Sequence, residues 1–365
     1  MRKQFLKQVK ANPRGMTRDT IIRRYVTKGK RLKLGGGTEM NAKHRAGYRL
    51  FEILSPLVFA ILIPSHGLTQ TQSNLIKHSP VEANQTTDFA VGRSPDAILF
   101  DGTNIWVANQ LGDNLMKLNA SDGSNLGTFP TGTRPVALAY DGENIWVANK
   151  FSNNVMKLRA SDGTLVNTIK VGRSPEALLF DGSSIWVANG GDNSVTKLRQ
   201  SDGATCTFIV GARPVALAFD GKNVWVANND SSSVTKLRAD DGTNLGTFSA
   251  GRGPMGVAFD GINVWVTNFY SKNVTRLNTD GSLKDRIAVE DGPAGIAFVG
   301  GLILVVNYGS RSVSQIEPES GRVVRTFAVG RGPLDLAFDG TNIWVANGGS
   351  NSVSKIKSTS QSPTP

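Results

Sequence analysis

Seven residues in the second half of the chain have side chains suited to binding a ligand, and they lie in two short segments, 252–272 and 291–311. Guanidinium and ammonium groups bind anions, and aromatic rings offer apolar faces to a ligand. Both segments depart from a pattern that the rest of the chain repeats, and packing alone would keep all copies of such a pattern alike. We therefore predict a ligand-binding site formed by Arg252, Phe269, Tyr270, Lys272, Asp291, Tyr308 and Arg311.

Two sets of polar residues recur at regular intervals, and both would surround the mouth of a ring-shaped fold. One set consists of asparagines: Asn109, Asn149, Asn189, Asn228, Asn268, Asn307 and Asn347. The other consists of arginines, with an aspartate in one copy: Arg93, Arg134, Arg173, Arg213, Arg252, Asp291 and Arg331. A ring of arginines could bind an anion. In the alternative interpretation, the asparagines cap loop backbone, and the arginines pair with nearby carboxylates, namely Asp96, Glu176, Asp291 and Asp335.

The residue types that most enzymes need are scarce beyond residue 84. All three histidines, His44, His66 and His78, precede residue 85, so the rest of the chain offers no histidine as a general base or metal ligand. The single cysteine, Cys206, therefore has no histidine to activate it. The four carboxylates named above could bind a hard cation such as Ca²⁺. We predict no catalytic residue and no cofactor, and the sequence assigns no metal ligand.

The elements that must position these residues are seven copies of one repeat. Each copy contains four β-type runs, such as ALAFDG, NIWVAN, SVTKLR and TFSAG, and Asp-Gly follows the first and third runs. Asp-Gly favours a tight type I′ hairpin turn, so each copy is predicted to form a four-stranded antiparallel sheet. A proline opens each copy, at Pro95, Pro135, Pro175, Pro214, Pro254, Pro293 and Pro333.

The second run of the repeat is apolar throughout, which predicts a strand covered on both faces. All six tryptophans lie at one position of this run: Trp106, Trp146, Trp186, Trp225, Trp265 and Trp344, with Val305 assigned to the position in the sixth copy. We interpret them as packing residues, because a buried indole contributes a large apolar area.

The two ends of the repeated region complement each other. The seventh copy stops at Lys357 without a fourth run, whereas a fourth-run segment, TTDFAVG, precedes the first copy at residues 86–92. The predicted fold class is therefore all-β: a seven-bladed β-propeller of four-stranded antiparallel blades, closed into a ring by an N-terminal strand that completes the last blade.

The repeats resemble those of the YVTN-type seven-bladed propellers, whose tetrapeptide corresponds to WVAN here and to WVTN in the fifth copy. In the sixth copy it is displaced to VVNY. The resemblance covers Thr86 to about Lys357. It implies the propeller fold and leaves the function open, since this family and its relatives include surface-layer proteins, extracytoplasmic binding proteins, lactonase-like enzymes and streptogramin lyases.

The positive charge of the chain is confined to its first 84 residues. They hold 16 of the 41 lysines and arginines and 4 of the 29 acidic residues, which leaves 25 of each for the remainder. A propeller without net charge argues against nucleic-acid binding. Within the leader, LFEILSPLVFAILI follows basic residues and has the form of a secretory signal.

These features divide the chain into five predicted parts. Residues 1–39 are a spurious upstream extension, 40–67 a signal peptide, 68–84 a polar linker, 85–357 the propeller and 358–365 a disordered tail. The signal predicts an extracytoplasmic protein, periplasmic, cell-surface or secreted. The alternative is a single N-terminal membrane anchor, with the propeller itself not inserted in the membrane.

The function that we predict is that of a monomeric, non-catalytic binding or scaffold protein. Its channel-mouth loops would engage a small molecule, a cell-envelope component or a protein. The alternative is a lactonase-like or lyase-like enzyme that uses carboxylates and Ca²⁺ at the same face.

Overall fold

The computed structural model describes residues 86–200 and 202–357, which form seven four-stranded antiparallel sheets. Each sheet, or blade, runs from the start of one repeat to the start of the next. Blade one contains β2 (Pro95–Phe100), β3 (Asn104–Asn109), β4 (Asn114–Asn119) and β5 (Asn125–Pro130). Blade two contains β6 (Pro135–Tyr140), β7 (Asn144–Asn149), β8 (Asn154–Arg159) and β9 (Leu165–Lys170). Blade three contains β10 (Pro175–Phe180), β11 (Ser184–Asn189), β12 (Ser194–Arg199) and β13 (Thr205–Ile209).

The remaining blades follow the same plan. Blade four contains β14 (Pro214–Phe219), β15 (Asn223–Asn228), β16 (Ser233–Arg238) and β17 (Asn244–Ser249). Blade five contains β18 (Pro254–Phe259), β19 (Asn263–Asn268), β20 (Asn273–Asn278) and β21 (Leu283–Ala288). Blade six contains β22 (Pro293–Val299), β23 (Leu302–Asn307), β24 (Ser312–Ile316) and β25 (Val323–Ala328). Blade seven contains β26 (Pro333–Phe338), β27 (Asn342–Asn347), β28 (Ser352–Lys357) and β1 (Thr86–Ala90).

The predicted ring closure is confirmed by the position of β1. This strand pairs antiparallel with β28, with Thr86 opposite Ile356 and Ala90 opposite Ser352. The first strands of neighbouring blades contact one another around the whole ring, including β26 with β2. The chain is a seven-bladed β-propeller with the first strands at its axis and the fourth strands at its rim. Within the described residues, no helix is long and apolar enough to cross a membrane.

The tryptophans are packing residues, as predicted, and each contacts two kinds of side chain, an aspartate and a lysine, with Arg276 in place of the lysine at Trp265. All six are at most 2% exposed. In blade three, Trp186 Nε1 donates a hydrogen bond to Asp181 Oδ2 (2.6 Å), and Lys197 Nζ lies 5.3 Å from the centre of the indole ring. The ammonium group also donates to the backbone oxygen of Ala239 in blade four, at 2.7 Å. The aspartate therefore satisfies the buried indole N–H, and the lysine connects neighbouring blades.

Blade six lacks this set of partners, and its alignment in the sequence analysis was wrong by one residue. Leu304, not Val305, occupies the tryptophan position, because Leu304 lies opposite Gln315 just as Trp106 lies opposite Lys117. Val299 occupies the position that is aspartate in the other blades. An apolar side chain at both positions leaves no buried indole N–H that needs an acceptor, so the aspartate and the tryptophan are lost together.

The Asp-Gly turns differ from the predicted type I′ geometry. At the first turn of blade one only Gly102 has a positive φ, of 95°. The Asp101 carboxylate accepts the backbone amides of Thr103 and Asn104 at 2.8 and 2.6 Å, which makes a side-chain-stabilised turn. The predicted geometry occurs in blade six instead, where Gly300 and Gly301 both have positive φ and Val299 pairs directly with Leu302.

Replacing Asp181 by alanine should lower the free energy of unfolding by about 1–3 kcal/mol, because the buried Trp186 N–H would lose its acceptor. The matched control is Asp202, the aspartate of the other Asp-Gly turn in the same blade, which is half-exposed and pairs with Arg199. Asp202→Ala should cost less than about 1 kcal/mol. Urea unfolding of both variants measures the difference, and equal losses would show that the indole bond contributes nothing.

Candidate functional site

The loops that follow the second strands and those that precede the first strands lie side by side at one face of the propeller, as predicted. In blade one, the amides of Gln110 and Leu111 donate to the backbone oxygens of Ser94 and Arg93. The same pair of bonds joins the two loops in the other blades, for example between Phe269 and Gly253. We call this side of the propeller the loop face.

The asparagine ring does not line the loop face. All seven asparagines are completely buried at the ends of the second strands. Asn189 Nδ2, for example, donates to Ser194 Oγ at 3.2 Å and to Thr196 Oγ1 at 2.9 Å. A Cβ on Gly172 would lie 2.6 Å from Asn189 Cγ, so the glycine of the Val-Gly pair makes room for this side chain. The asparagine side chains therefore connect the second and third strands and are not available to a ligand. The predicted capping of loop backbone is seen at Asn268, whose Oδ1 accepts the Gly251 amide at 2.9 Å, whereas the other six side-chain oxygens have no hydrogen-bond partner among the described residues.

The arginines do not form one ring either, because they occupy two different positions. Arg134 and Arg213 directly precede a proline and have φ of 57° and 52°. The others lie one residue earlier, as Arg173 does, and Arg173 Nε contacts Asp192 Oδ1 at 2.5 Å. Arg213 Nη1 lies 3.7 Å from Asp230 Oδ1. Ion pairing was therefore expected correctly for these arginines, but their partners are not the carboxylates that the sequence suggested.

Most of the predicted site residues come together on the loop face of blades five and six. The ring centres of Phe269 and Tyr270 are 5.3 Å apart, and those of Phe269 and Tyr308 are 6.0 Å apart. Lys272 Nζ contacts Asp291 Oδ1 at 2.6 Å, with both side chains more than half exposed. We call Phe269, Tyr270 and Tyr308 the aromatic cluster. The Arg252 backbone oxygen accepts the Tyr270 amide, whereas no side-chain contact joins Arg311 to this cluster.

The aromatic cluster lies against three glycines that directly precede the prolines of blades five, six and seven. A Cβ on Gly253 would lie 2.4 Å from the Tyr270 ring, and Cβ atoms on Gly292 and Gly332 would lie 3.1 and 3.2 Å from Phe269 and Tyr308. Each glycine has a positive φ, between 59° and 65°. The glycines therefore permit both the turn and the close approach of the rings.

The same region lacks a hydrogen bond that joins four of the other blades to their neighbours. In blades one, two, three and seven, the fourth residue after the buried asparagine is Asp or Asn, and its side chain accepts a backbone amide of the next blade. Asn153 Oδ1, for example, accepts the Ser174 amide at 2.8 Å. Blades five and six place Lys272 and Arg311 there, at φ of 53° and 56°. Long side chains are uncommon at such φ values, which marks both positions as departures from packing requirements.

A cavity of about 310 Å³ lies on the propeller axis and is lined by the beginnings of the first strands. Most of its wall is apolar, with Val136, Met255 and Leu334 among the residues that line it. Four charged side chains also line it, from blades one, three, four and seven: Asp96, Glu176, Arg213 and Asp335. Seven other residues of this wall are alanine or glycine. The first strands thus build a small chamber with a few charged groups, in the size range of small-molecule sites.

The carboxylates of this chamber differ in their partners. Lys150 Nζ pairs with Glu176 Oε1 at 3.1 Å. Gln110 Nε2 donates to Asp96 Oδ2 at 2.6 Å, and the Asp335 carboxylate accepts the amides of Ile98 (3.1 Å) and Leu336 (2.8 Å). Among the described residues, no lysine or arginine lies within ion-pair distance of Asp96 or Asp335. These two groups are carboxylates without a contacting countercharge.

Desolvation by the surrounding protein changes the titration of both carboxylates, although each residue is only partly shielded from solvent. Desolvation, together with repulsion from Glu176 and Asp335, raises the pKa of Asp96 to about 7, although Lys150 and the Gln110 hydrogen bond act against the shift. Desolvation raises the pKa of Asp335 to about 6, against the effect of its two backbone hydrogen bonds. A carboxyl group with a pKa near neutrality in a cavity is characteristic of functional sites.

The four carboxylates considered for Ca²⁺ do not form one site. Asp291 pairs with Lys272 in the loops, away from the other three. Among the described residues, no three His, Cys, Asp or Glu side chains are grouped closely enough to hold one metal ion. Ca²⁺ takes six to eight oxygen ligands, so this donor set fits it poorly.

Sequence analysis did not assign the axial chamber as a site. Asp96, Glu176 and Asp335 were considered only as pairing partners or ligands, and Arg213 only as a member of a ring. The available signal was an acidic residue one or two positions after the opening proline, where the other repeats carry apolar residues. Glu290 was also missed: it replaces the glycine that faces the buried asparagine, and it accepts a hydrogen bond from Ser312.

Comparison with known proteins shows a likeness in structure only. No family model and no curated protein matches the sequence. Hydrazine synthase of Kuenenia stuttgartiensis matches with a TM-score of 0.67 and 19% identity, over 78% of this chain and 99% of that chain. Virginiamycin B lyase from Staphylococcus aureus matches with a TM-score of 0.66 and 16% identity, over 75% and 99%. A streptogramin B lyase structure matches with a TM-score of 0.65 and 17% identity, over 74% and 97%. These identities show the propeller fold alone.

Proposed function

We propose that this chain is an exported, non-catalytic binding protein of the YVTN type, which engages a cell-envelope component or small molecule through its loop face. The observation that carries the proposal is the aromatic cluster with the Lys272–Asp291 ion pair beside it. Tyr270 and Tyr308 are 49% and 42% exposed. Exposed aromatic rings grouped beside charges are typical of recognition surfaces, because they bury a large apolar area when a partner binds.

The structure of the surrounding loops supports this assignment. Blades five to seven keep glycines beneath the rings instead of the residues that precede proline in blades one to four. Lys272 and Arg311 adopt φ values that favour Asn or Gly. Local rules of sequence and structure are commonly broken at functional sites, where the binding function outweighs the small cost in stability.

The non-catalytic part of the proposal rests on the residue types of the propeller. It contains no histidine, and the exposed groups of the aromatic cluster form no arrangement of nucleophile and base. An enzyme of the lactonase or lyase type is the second candidate, and one observation favours it. Asp96 has a pKa of about 7, which is suited to general acid–base catalysis at neutral pH.

Purified peptidoglycan is a direct probe of the proposed function. The full chain should sediment with it, and Tyr270→Ala with Tyr308→Ala in one chain should reduce the affinity tenfold or more. The matched control is Phe151→Ala, because Phe151 occupies in blade two the same loop position as Tyr270 and is 51% exposed. If Phe151→Ala reduced the affinity as much as the double tyrosine variant does, the assignment of the binding site to blades five to seven would be contradicted. So would failure of the unaltered protein to bind peptidoglycan or its soluble disaccharide fragments.

A further inference from the structure

The acidic groups of the axial chamber differ in whether they have an ion-pair partner. In the second position of the first strands, blades two and four to seven have Val, Met, Ala or Leu, whereas blades one and three have Asp96 and Glu176. In the third position, blade seven alone has an acid, Asp335, where the others have alanine or glycine. The acidic residues are therefore departures from the apolar pattern of the chamber wall.

The two basic groups at the chamber already have partners. Lys150 pairs with Glu176, and Arg213 Nη1 donates to Asn229 Oδ1 at 3.2 Å and lies near Asp230. The remaining carboxylates, Asp96 and Asp335, belong to adjacent blades and repel each other. Both carboxylates are partly buried and face the chamber. A partly desolvated carboxylate without a countercharge is costly, so a cation that enters the chamber would be stabilised by both groups.

We propose that the axial chamber binds an organic ammonium cation, with its charged end between Asp96 and Asp335 and its apolar part against Val136, Met255 and Leu334. An ammonium group offers three hydrogen-bond donors in a compact volume, which two carboxylates and the apolar wall can accommodate. A divalent metal ion fits less well, because no three carboxylates converge in the described residues. This site is separate from the aromatic cluster and does not depend on the function proposed for it.

The titration of the chamber gives this site a distinct pH dependence. The charged or titratable groups that face Asp96 are Glu176 from β10, Lys150 from the loop after β7 and Asp335 from β26. Arg213 lines the same chamber. Because the pKa of Asp96 is about 7, its carboxyl group in the unliganded protein is largely protonated at pH 5 and largely ionised at pH 8. Binding of an ammonium ion should therefore release protons near neutral pH and weaken in acid.

Calorimetric titration of the full chain with n-butylammonium and with its neutral analogue 1-butanol tests the proposal. At pH 8 we expect the amine to bind at least tenfold more tightly than the alcohol. We also expect the affinity for the amine to be at least tenfold lower at pH 5 than at pH 8. Asp96→Asn should reduce the affinity for the amine at least tenfold at pH 8, because the replacement keeps the shape and removes the charge. Asp202→Asn is the matched control, because Asp202 is an exposed aspartate in a hairpin turn outside both sites, and it should leave the affinity unchanged within twofold.

Several results would overturn the proposal. They are equal affinity for amine and alcohol, absence of amine binding in the millimolar range, and an unchanged affinity in Asp96→Asn. Binding of Ca²⁺ in place of the amine, with the same sensitivity to Asp96→Asn, would show a metal site instead. Thermal unfolding of each variant confirms that it is folded. Amine binding should persist when Tyr270 and Tyr308 are both alanine, so failure of the loop-face function and failure of the chamber give different results.

Discussion

A chain that begins at Pro95 should be less stable than one that begins at Ala83 by about 5 kcal/mol or more in the free energy of unfolding. The shorter chain lacks β1, and blade seven then ends in an open edge at β28. It also lacks Phe89, whose ring lies 5.6 Å from Trp344 and packs against Gly123 of blade one. Loss of a fully buried phenylalanine costs about 3–5 kcal/mol, and the partly buried Phe89 should contribute part of that amount in addition to the strand's backbone hydrogen bonds.

Thermal and urea unfolding, with size-exclusion chromatography for aggregation, measure this effect. Phe89→Ala in the longer chain separates the contribution of one ring from that of the whole strand. In a further control, β1 is moved to the other end of the chain. This rearranged chain consists of residues 95–357, then a copy of the turn 120–124, then residues 86–92. That rearranged chain should regain most of the lost stability, since the sheet order of blade seven would be restored. Equal melting temperatures for the first two chains would contradict the role given to β1.

The architecture could be predicted from the sequence because seven copies of one repeat report on the same structure. The missing fourth run after Lys357 and the surplus run at residues 86–92 point to the same closure. A single copy carries less information. Without a tryptophan to mark the position, the run LILVVN of blade six was aligned one residue too far. The strand pairing of Leu304 with Gln315 corrects it, and so does the spacing of three residues between tryptophan and asparagine in the other copies, which places Leu304 before Asn307.

The candidate sites were harder to predict, because they depend on side-chain direction rather than on spacing. Arg134 and Arg173 both stand near an opening proline, yet one residue of offset sends them to different partners. Asp96 and Asp335 look like ordinary strand residues in the sequence. Their raised pKa values come from desolvation and, for Asp96, from the approach of blades one, three and seven at the axis, which spacing along one chain segment does not reveal. The aromatic cluster was accessible to prediction because its residues break the repeat.

The stability of the full chain should fall as the pH rises from about 4.5 to 8, by up to about 4 kcal/mol from Asp96 alone. The folded protein raises the pKa of Asp96 from 3.8 to about 7 and that of Asp335 from 3.8 to about 6, in both cases through desolvation first. The folded state therefore holds these protons more tightly than the unfolded chain does. Its advantage is complete below pH 3.8 and is lost as the pH passes the folded-state pKa values.

The aspartates that bind the indoles act in the opposite direction at lower pH. In Asp181, hydrogen bonds from Trp186 and from the backbone outweigh desolvation and lower the pKa. The stability from such groups is present above pH 3.8 and is lost in stronger acid, so the two effects together place the maximum stability near pH 4 to 5.

Urea unfolding between about pH 4.5 and 8 measures how the free energy of unfolding changes with pH. Asp96→Asn should flatten this dependence and should be more stable than the unaltered chain at pH 8, because an amide avoids the cost of a buried charge and can still bond with Gln110. Asp291→Asn removes an exposed carboxylate and should keep the original dependence of the free energy of unfolding on pH. All three chains contain the histidines of the leader, so titration of those histidines cannot explain a difference between the chains. A stability that stays constant or rises between pH 5 and 8 would show that Asp96 and Asp335 are solvated in the folded protein. The axial chamber would then hold hydrated, ionised carboxylates, and water would screen their attraction for a cation.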